Sequence, residues 1–141
     1  MISMLHHISL GVTDLARAAA FYDAALAPLG YVRVWSDIRP GEEDQAVGYG
    51  LTGGGDKLAL KQVKAEVLKA GSLAPGAGYH FAFAAPSRLA VDAFHKAALA
   101  QGGGDNGAPG LRPDYGDHYY AAFVTDPDGN RLEAVITLPA S

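Results

Sequence analysis

The chain has 141 residues, of which 49% are hydrophobic and 18% are charged, and its formal net charge at pH 7 is −4. This length fits a single domain over residues 1–141, and the ordinary apolar share argues against wholesale disorder. Eleven Lys and Arg residues against fifteen Asp and Glu residues, without a basic cluster, exclude the electrostatic footprint of a nucleic-acid binder. The absence of cysteine excludes disulfides, thiolate metal sites and a cysteine nucleophile.

Neither a targeting peptide nor a membrane span is predicted. The opening residues lack a basic segment, and Asp14 and Arg17 interrupt the apolar run that follows. The longest uncharged stretch, 70–87, contains two prolines and three glycines, which does not suit a spanning helix. We therefore expect a cytoplasmic protein that binds neither membrane nor nucleic acid.

The first half of the chain predicts one strand, one helix and three further strands. The helix begins at Thr13 or Asp14, either of which can cap it, and ends at Gly30 in a left-handed conformation. The apolar residues between these ends recur at helical spacing. The strands are expected at 5–12, 31–38, 45–52 and 57–63, separated by turn residues.

The second half repeats this order. Shifting the sequence by 73 positions aligns His7 with His80, Phe21 with Phe94 and Gly30 with Gly103, with eight identities over 24 positions. Gly103, within a run of three glycines, is accordingly expected to stop the second helix as Gly30 stops the first. The second-half elements are expected as a strand at 79–85, a helix at about 88–101, a broken edge strand at 106–113, and strands at 118–125 and 130–137.

Glycine supplies 18 of the residues, about 13% against a typical share of about 7%, and much of it falls between these elements. One helix per module followed by hairpins indicates an α+β fold rather than a doubly wound one. We predict module one at about 5–63, a linker at about 64–77 and module two at about 78–138.

His7 and His80 are candidate metal ligands because the repeat makes them equivalent. Each lies near the start of the first strand of its module, and a neutral imidazole is the commonest metal ligand. The alternative for each is a structural histidine with a satisfied hydrogen bond. Recurrence at the same repeat position favours the metal-ligand interpretation more than an isolated histidine would, and both interpretations stay open.

Glu133 is the candidate carboxylate. Leu132, Ala134 and Ile136 form the apolar face of its strand, and Glu133 lies on the opposite face of an otherwise hydrophobic segment. The alternative is a solvated glutamate on an edge strand. The repeat offers no fourth ligand, because subtracting 73 from 133 leads to Leu60, flanked by Ala59 and Lys61. Which of these three faces a cavity is left open.

An aromatic and polar loop precedes the penultimate strand, and it supplies our catalytic candidates. A small-molecule pocket and an exposed or dimer-interface surface are both consistent with its composition. The acid/base or orienting role is assigned to Tyr115, His118 and Tyr120, among neighbours that include Arg112 and Tyr119.

The sequence resembles the vicinal oxygen chelate superfamily, which includes glyoxalase I, extradiol dioxygenases, fosfomycin-resistance transferases and bleomycin-resistance proteins. The resemblance rests on residues 7–15, on Phe21-Tyr22 and on the hairpin at 123–133. It implies paired βαβββ modules forming a cupped mixed sheet with helices outside, usually a homodimer. It also implies one divalent metal ion (Fe, Mn, Zn or Ni) on His7, His80 and Glu133. Glyoxalase I generally has a ligand at the fourth place, so true glyoxalase activity is disfavoured.

Two functions follow from these observations. The first is a metal-dependent lyase, isomerase, dioxygenase or transferase that acts on a small oxygenated substrate. The second is a metal-free protein of the bleomycin-resistance type that binds or sequesters a small molecule. A homodimer is also expected, because a single pair of modules leaves sheet edges that need cover.

Overall fold

The computed structural model describes residues 4–66 and 79–140. Packing divides these residues into unit one, with 4–19 and 31–66, and unit two, with 20–30 and 79–140. Of the linker predicted at about 64–77, residues 67–77 lie outside the described ranges. No helix in the described part of the chain is long and apolar enough to cross a bilayer.

The first half of the chain forms β1 (Ile8–Val12), α1 (Leu15–Leu26), a short 3-10 turn (Ala27–Leu29), β2 (Val32–Asp37), β3 (Ala46–Gly50) and β4 (Leu58–Gln62). The four strands belong to unit one, whereas α1 from residue 20 onward and the 3-10 turn belong to unit two. The strands form a mixed sheet in the order β1-β4-β3-β2. Strands β1 and β4 are parallel, whereas β3 runs antiparallel to both β4 and β2. The chain crosses from β1 to its parallel partner β4 through α1, β2 and β3.

The second half of the chain forms β5 (Phe81–Ala84), α2 (Arg88–Ala100), β6 (Gly104–Leu111), β7 (Tyr120–Thr125) and β8 (Arg131–Ile136), all in unit two. The strands form a second four-stranded sheet with the corresponding order β5-β8-β7-β6. Its first and last strands, β5 and β8, again form the parallel pair. The same order in both sheets confirms the predicted α+β fold of tandem βαβββ modules.

The two helices begin at repeat-equivalent caps. Asp14 Oδ1 accepts a hydrogen bond from the backbone N–H of Arg17 at 3.1 Å, and Ser87 Oγ accepts one from that of Ala90 at 3.0 Å. Each cap satisfies an N–H group that the first helical turn leaves without an intrahelical partner. Asp14 and Ser87 are 73 positions apart, so the repeat extends to the capping chemistry.

The prediction that Gly103 stops the second helix was wrong by one residue. Gly102 takes the left-handed conformation, with φ +89°, as Gly30 does after the first helix, with φ +91°. Gly103 is needed for a different reason. A Cβ atom there would lie 2.6 Å from a ring carbon of Phe21 and 2.8 Å from the carbonyl oxygen of Ala98. Gly103 therefore permits the Phe21 ring and the Ala98 carbonyl group to lie close to the backbone. Sequence spacing does not distinguish a glycine with this role from one that ends a helix.

The β7–β8 turn is tied to helix α1 through the buried carboxyl group of Asp126, which is 3% exposed. Tyr22 Oη donates to Oδ2 of this carboxyl at 2.7 Å, and Asn130 Nδ2 donates to the same oxygen at 2.8 Å. The backbone N–H groups of Asp128 and Asn130 donate to Oδ1. Burial raises the pKa of Asp126, and the hydrogen bonds from Asn130 and Tyr22 oppose that rise.

We expect Tyr22→Phe to lower the free energy of unfolding by about 1–3 kcal/mol, because it removes a donor from a buried carboxyl group. Urea denaturation measures the change. Tyr115→Phe is the matched control, since Tyr115 is 67% exposed, and its effect should stay within about 0.5 kcal/mol. Equal stability of the Tyr22→Phe variant and the wild-type protein would contradict this account of the turn.

Candidate functional site

The two faces of the unit-two sheet differ: one packs against helix α2, and the other carries polar side chains. Helix α2 packs against β6, β7 and β8, and Tyr120 Oη donates to Asp92 Oδ1 of this helix at 2.6 Å. Leu132 and Ala134 are almost fully buried on β8, and Glu133 lies between them in sequence, so it points to the opposite face. That opposite face is called the open face below. The strand alternation thus separates core packing from the polar group on the same strand.

Glu133 is a buried carboxylate with two polar side-chain partners. Its exposure is 1%, and its Oε1 atom lies 2.7 Å from His80 Nε2. Tyr119 Oη donates to the other oxygen, Oε2, at 2.5 Å. The parallel register pairs Ala82 with Glu133, which brings His80, two residues earlier, onto the same face. The imidazole keeps 41% of its side-chain surface exposed, whereas the Glu133 carboxylate is buried, so His80 is the accessible member of the pair.

Tyr119 carries its proton at neutral pH. Burial, followed by the hydrogen bond to Glu133 and the charge of that carboxylate, raises the pKa of Tyr119 to about 12. The phenol is therefore a hydrogen-bond donor at physiological pH. Its position fixes one oxygen of Glu133 while His80 contacts the other.

Two of the three predicted catalytic residues lie in the loop beside this cluster, and the third points to the opposite face of the sheet. Tyr115 is 67% exposed, and its ring meets that of Tyr119 edge to face at 5.2 Å. His118 is exposed in the loop between β6 and β7. Tyr120 points to the helix side, where its hydrogen bond to Asp92 and its burial raise its pKa. Their catalytic roles stay predictions.

Tyr119 is the residue that the sequence analysis left out of the site. The strand alternation offers the signal, because the β7–β8 hairpin pairs Phe123 with Glu133, and odd-numbered residues of β7 share that face. Extending the alternation to the residue before β7 places Tyr119 on the open face and Tyr120 on the helix side. Strand parity therefore predicts Tyr119, and not Tyr120, as the tyrosine beside Glu133.

His7 is placed in unit one, immediately before β1, where it is exposed and its Nδ1 atom lies 2.8 Å from His6 Nδ1. His80 and Glu133 form a pair in unit two. Across residues 4–66 and 79–140, no group of three or more His, Asp or Glu side chains is arranged to hold a metal ion. The role of His7 as a ligand stays a prediction.

The strand registers identify the counterpart of Glu133 in module one. Ala82 pairs with Glu133, and its repeat equivalent, Ser9, pairs with Ala59. The structural equivalent of Glu133 is thus Ala59, whereas Leu60 points to the face that carries the buried Val47. Module one has no carboxylate at this place, as the sequence analysis expected.

The donor atoms of His80 and Glu133 fit a divalent metal. An imidazole nitrogen and a carboxylate oxygen are common ligands of Zn, Mn, Fe and Ni. The Tyr119 phenol would orient the carboxylate through its second oxygen, as hydrogen-bond partners of metal ligands usually do.

We expect substitutions of Tyr119 and Glu133 to have non-additive effects on the free energy of unfolding, because the two side chains are in contact. In a double-mutant cycle of Tyr119→Phe and Glu133→Gln, urea denaturation should give a coupling free energy of about 0.5–3 kcal/mol. The control cycle combines Glu133→Gln with Tyr120→Phe, whose hydroxyl bonds Asp92 on the helix side, and it should be additive within about 0.5 kcal/mol. Additivity in both cycles would contradict the described contact.

Comparison with known proteins gives a consistent family assignment. The profile of the Glyoxalase/Bleomycin resistance protein/Dioxygenase superfamily matches residues 4–134. No curated protein matches the chain. A glyoxalase/bleomycin resistance protein from Albidiferax ferrireducens is 30% identical, with a TM-score of 0.67, over 94% of this chain and 98% of that one.

Two further solved structures share the fold at lower identity. A mutant of the fosfomycin resistance protein FosX from Listeria monocytogenes, in complex with Mn(II) and 1S,2S-dihydroxypropylphosphonic acid, is 19% identical with a TM-score of 0.67, over 98% of this chain and 95% of that one. A glyoxalase I mutant from Zea mays is 22% identical with a TM-score of 0.65, and the match covers 92% of this chain and 45% of that one. The profile match over nearly the whole sequence and the repeated βαβββ sheets show that the chain belongs to the glyoxalase/bleomycin resistance protein/dioxygenase superfamily.

Proposed function

We propose that this protein is a metal-dependent enzyme that acts on a small oxygenated molecule, with His80 and Glu133 as metal ligands. The observation that carries the proposal is the buried Glu133 carboxylate on the open face, bonded to His80 and Tyr119. A buried carboxylate lowers the stability of the fold unless it is paired or binds a metal. A carboxylate within a core strand therefore favours a functional role over a structural one. On the strength of the repeat, His7 is proposed as a further ligand.

A divalent metal at this site would polarise a substrate oxygen as a Lewis acid. Fe, Mn, Zn and Ni all accept this donor set, and the Mn(II) in the FosX complex is in line with a divalent ion in this fold. The reaction type within the superfamily is left open between lyase or isomerase, dioxygenase and transferase.

The residues of the chain have separable tasks in this proposal. Glu133 supplies the negative charge, and Tyr119 holds the carboxylate in place with a proton that it keeps at neutral pH. The side chain of His80 is 41% exposed, so its imidazole can contact a ligand. Tyr115 and His118, in the adjoining loop, are proposed to orient the substrate or transfer a proton to it.

A metal-free binding protein is the second candidate. It is favoured by Ala59, which replaces a carboxylate at the counterpart of Glu133, and by the apolar residues beside it. A Cβ atom on Gly48 would overlap the Trp35 indole, so this ring packs directly against Gly48, the cross-strand neighbour of Ala59. Such a surface suits an apolar ligand rather than an ion.

Metal titration of protein prepared without a histidine tag tests the proposal. After chelator treatment, calorimetry with Mn, Fe, Zn and Ni should show one site per chain. Tyr119→Phe should weaken metal binding about 10–100-fold, as expected for a partner of a ligand. His80→Ala and Glu133→Gln should weaken it more.

His95→Ala is the matched control, because His95 also contacts a carboxylate, with its Nε2 atom 3.0 Å from Asp105 Oδ1, but lies on helix α2. Its metal affinity should equal that of the wild-type protein. Failure to bind any of the four metals stoichiometrically, together with no loss of metal binding in His7→Ala, would refute the enzyme proposal. That result would favour the metal-free binding protein.

The homodimer predicted from exposed sheet edges is proposed as the assembly state. A sedimentation mass of a single chain at micromolar concentration would refute it.

A further inference from the structure

Arg112, at the start of the loop between β6 and β7, is held in a fixed position on the open face. Its guanidinium carbon lies 5.4 Å from the centroid of the Phe123 ring, a cation–π arrangement. Nη2 donates to the carbonyl oxygen of Ala108 at 2.6 Å. The half-buried side chain is therefore oriented by a ring on β7 and a carbonyl on its own strand.

Two glycines of β6 provide the space for the guanidinium. A Cβ atom at Gly107 would lie 3.3 Å from Arg112 Nη2, and one at Gly110 would lie 3.2 Å from Nη1. Either contact is tighter than ordinary van der Waals packing. Gly107 also has φ +147°, and the pairing of β6 with β7 shifts register on both sides of this residue. A side chain at either glycine would therefore crowd the guanidinium in its present position.

The guanidinium has no carboxylate partner among residues 4–66 and 79–140. Arg39 illustrates the usual case, since it contacts Asp37 Oδ1 and Asp44 Oδ1, each at 2.8 Å. A guanidinium has five N–H donors in a planar fork, and Ala108 accepts from only one of its nitrogens. The remaining donors match the geometry of a carboxylate or phosphoryl group.

Arg112 lies beside the Glu133 cluster. Its backbone N–H donates to the carbonyl oxygen of Tyr119 at 2.8 Å, so the two residues face each other across the base of the loop. Phe123, which supports the guanidinium, is the cross-strand neighbour of Glu133. The His80 ring centroid is 6.1 Å from that of Phe123. One aromatic ring thus adjoins both the guanidinium and the His80–Glu133 pair.

We infer that Arg112 is an anion-binding residue of this site, and that the ligand is a small molecule carrying a carboxylate or phosphoryl group. The inference rests on the proposed function in one respect: an oxygen at the other end of the ligand would bind at the His80–Glu133 pair. Recognition of the anionic group itself depends only on the guanidinium and its supports.

The test uses three probes that differ at one end: 2-hydroxypropanoate, 1-hydroxyethylphosphonate and the neutral 2-hydroxypropanamide. Each is titrated into ¹⁵N-labelled protein, both after chelator treatment and with diamagnetic Zn(II) present. The Nε–Hε signal of Arg112, assigned by its loss in Arg112→Lys, reports contact with the anionic group.

Both anions should shift the Arg112 signal, and the amide should not. Arg112→Lys keeps the charge but loses the planar fork, so it should weaken anion binding about tenfold or more. Arg17→Gln, at an exposed position on α1, is the control and should bind as the wild-type protein does. The tighter of the two anions distinguishes a carboxylate from a phosphoryl ligand.

The inference is overturned if the amide shifts the Arg112 signal as strongly as the anions, if no probe shifts it, or if Arg112→Lys binds anions as well as Arg17→Gln. Its failure is separable from that of the proposed function. An anion response in a protein that binds none of the metals would refute only the enzyme proposal, whereas metal binding without an anion response would refute only the role of Arg112.

Discussion

The central constraint in this structure is the burial of the Glu133 carboxylate in an apolar strand. A carboxylate that is 1% exposed is strongly destabilising unless hydrogen-bond donors or a cation satisfy it. Two separate parts of unit two meet this requirement. The parallel β5–β8 register supplies His80, and the closing residues of the β6–β7 loop supply Tyr119. The position of each is therefore determined by strand pairing rather than by local sequence.

Strand alternation allows one sheet to provide a core and a site together. On β8, Leu132 and Ala134 pack on the helix side, while Glu133 faces the other way with Phe123 beside it. The open face can hold polar and charged groups such as Arg112 without disturbing the packing under α2. Polar groups that are needed for ligand binding are thus kept apart from the residues that stabilise the fold.

The repeat and the strand and helix order were predictable, because hydrophobic periodicity and turn residues are local signals. Details that depend on register were not. The offset of 73 holds through the first strand and helix, yet the registers give an offset of 74 between Ala59 and Glu133, so later connections differ by one residue. The backbone hydrogen bond from Arg112 N–H to the Tyr119 carbonyl oxygen, which closes the loop before β7, is another such detail, because no sequence pattern indicates it.

A crystal structure of the Mn-loaded protein, with anomalous data collected at the metal edge, tests most directly the claim that Glu133 is buried because it serves a metal site. The account predicts an anomalous peak within coordination distance of His80 Nε2 and Glu133 Oε1, with Tyr119 still donating to the second carboxylate oxygen. A peak remote from this pair, or no peak in a protein that has been supplied with stoichiometric metal, would contradict it.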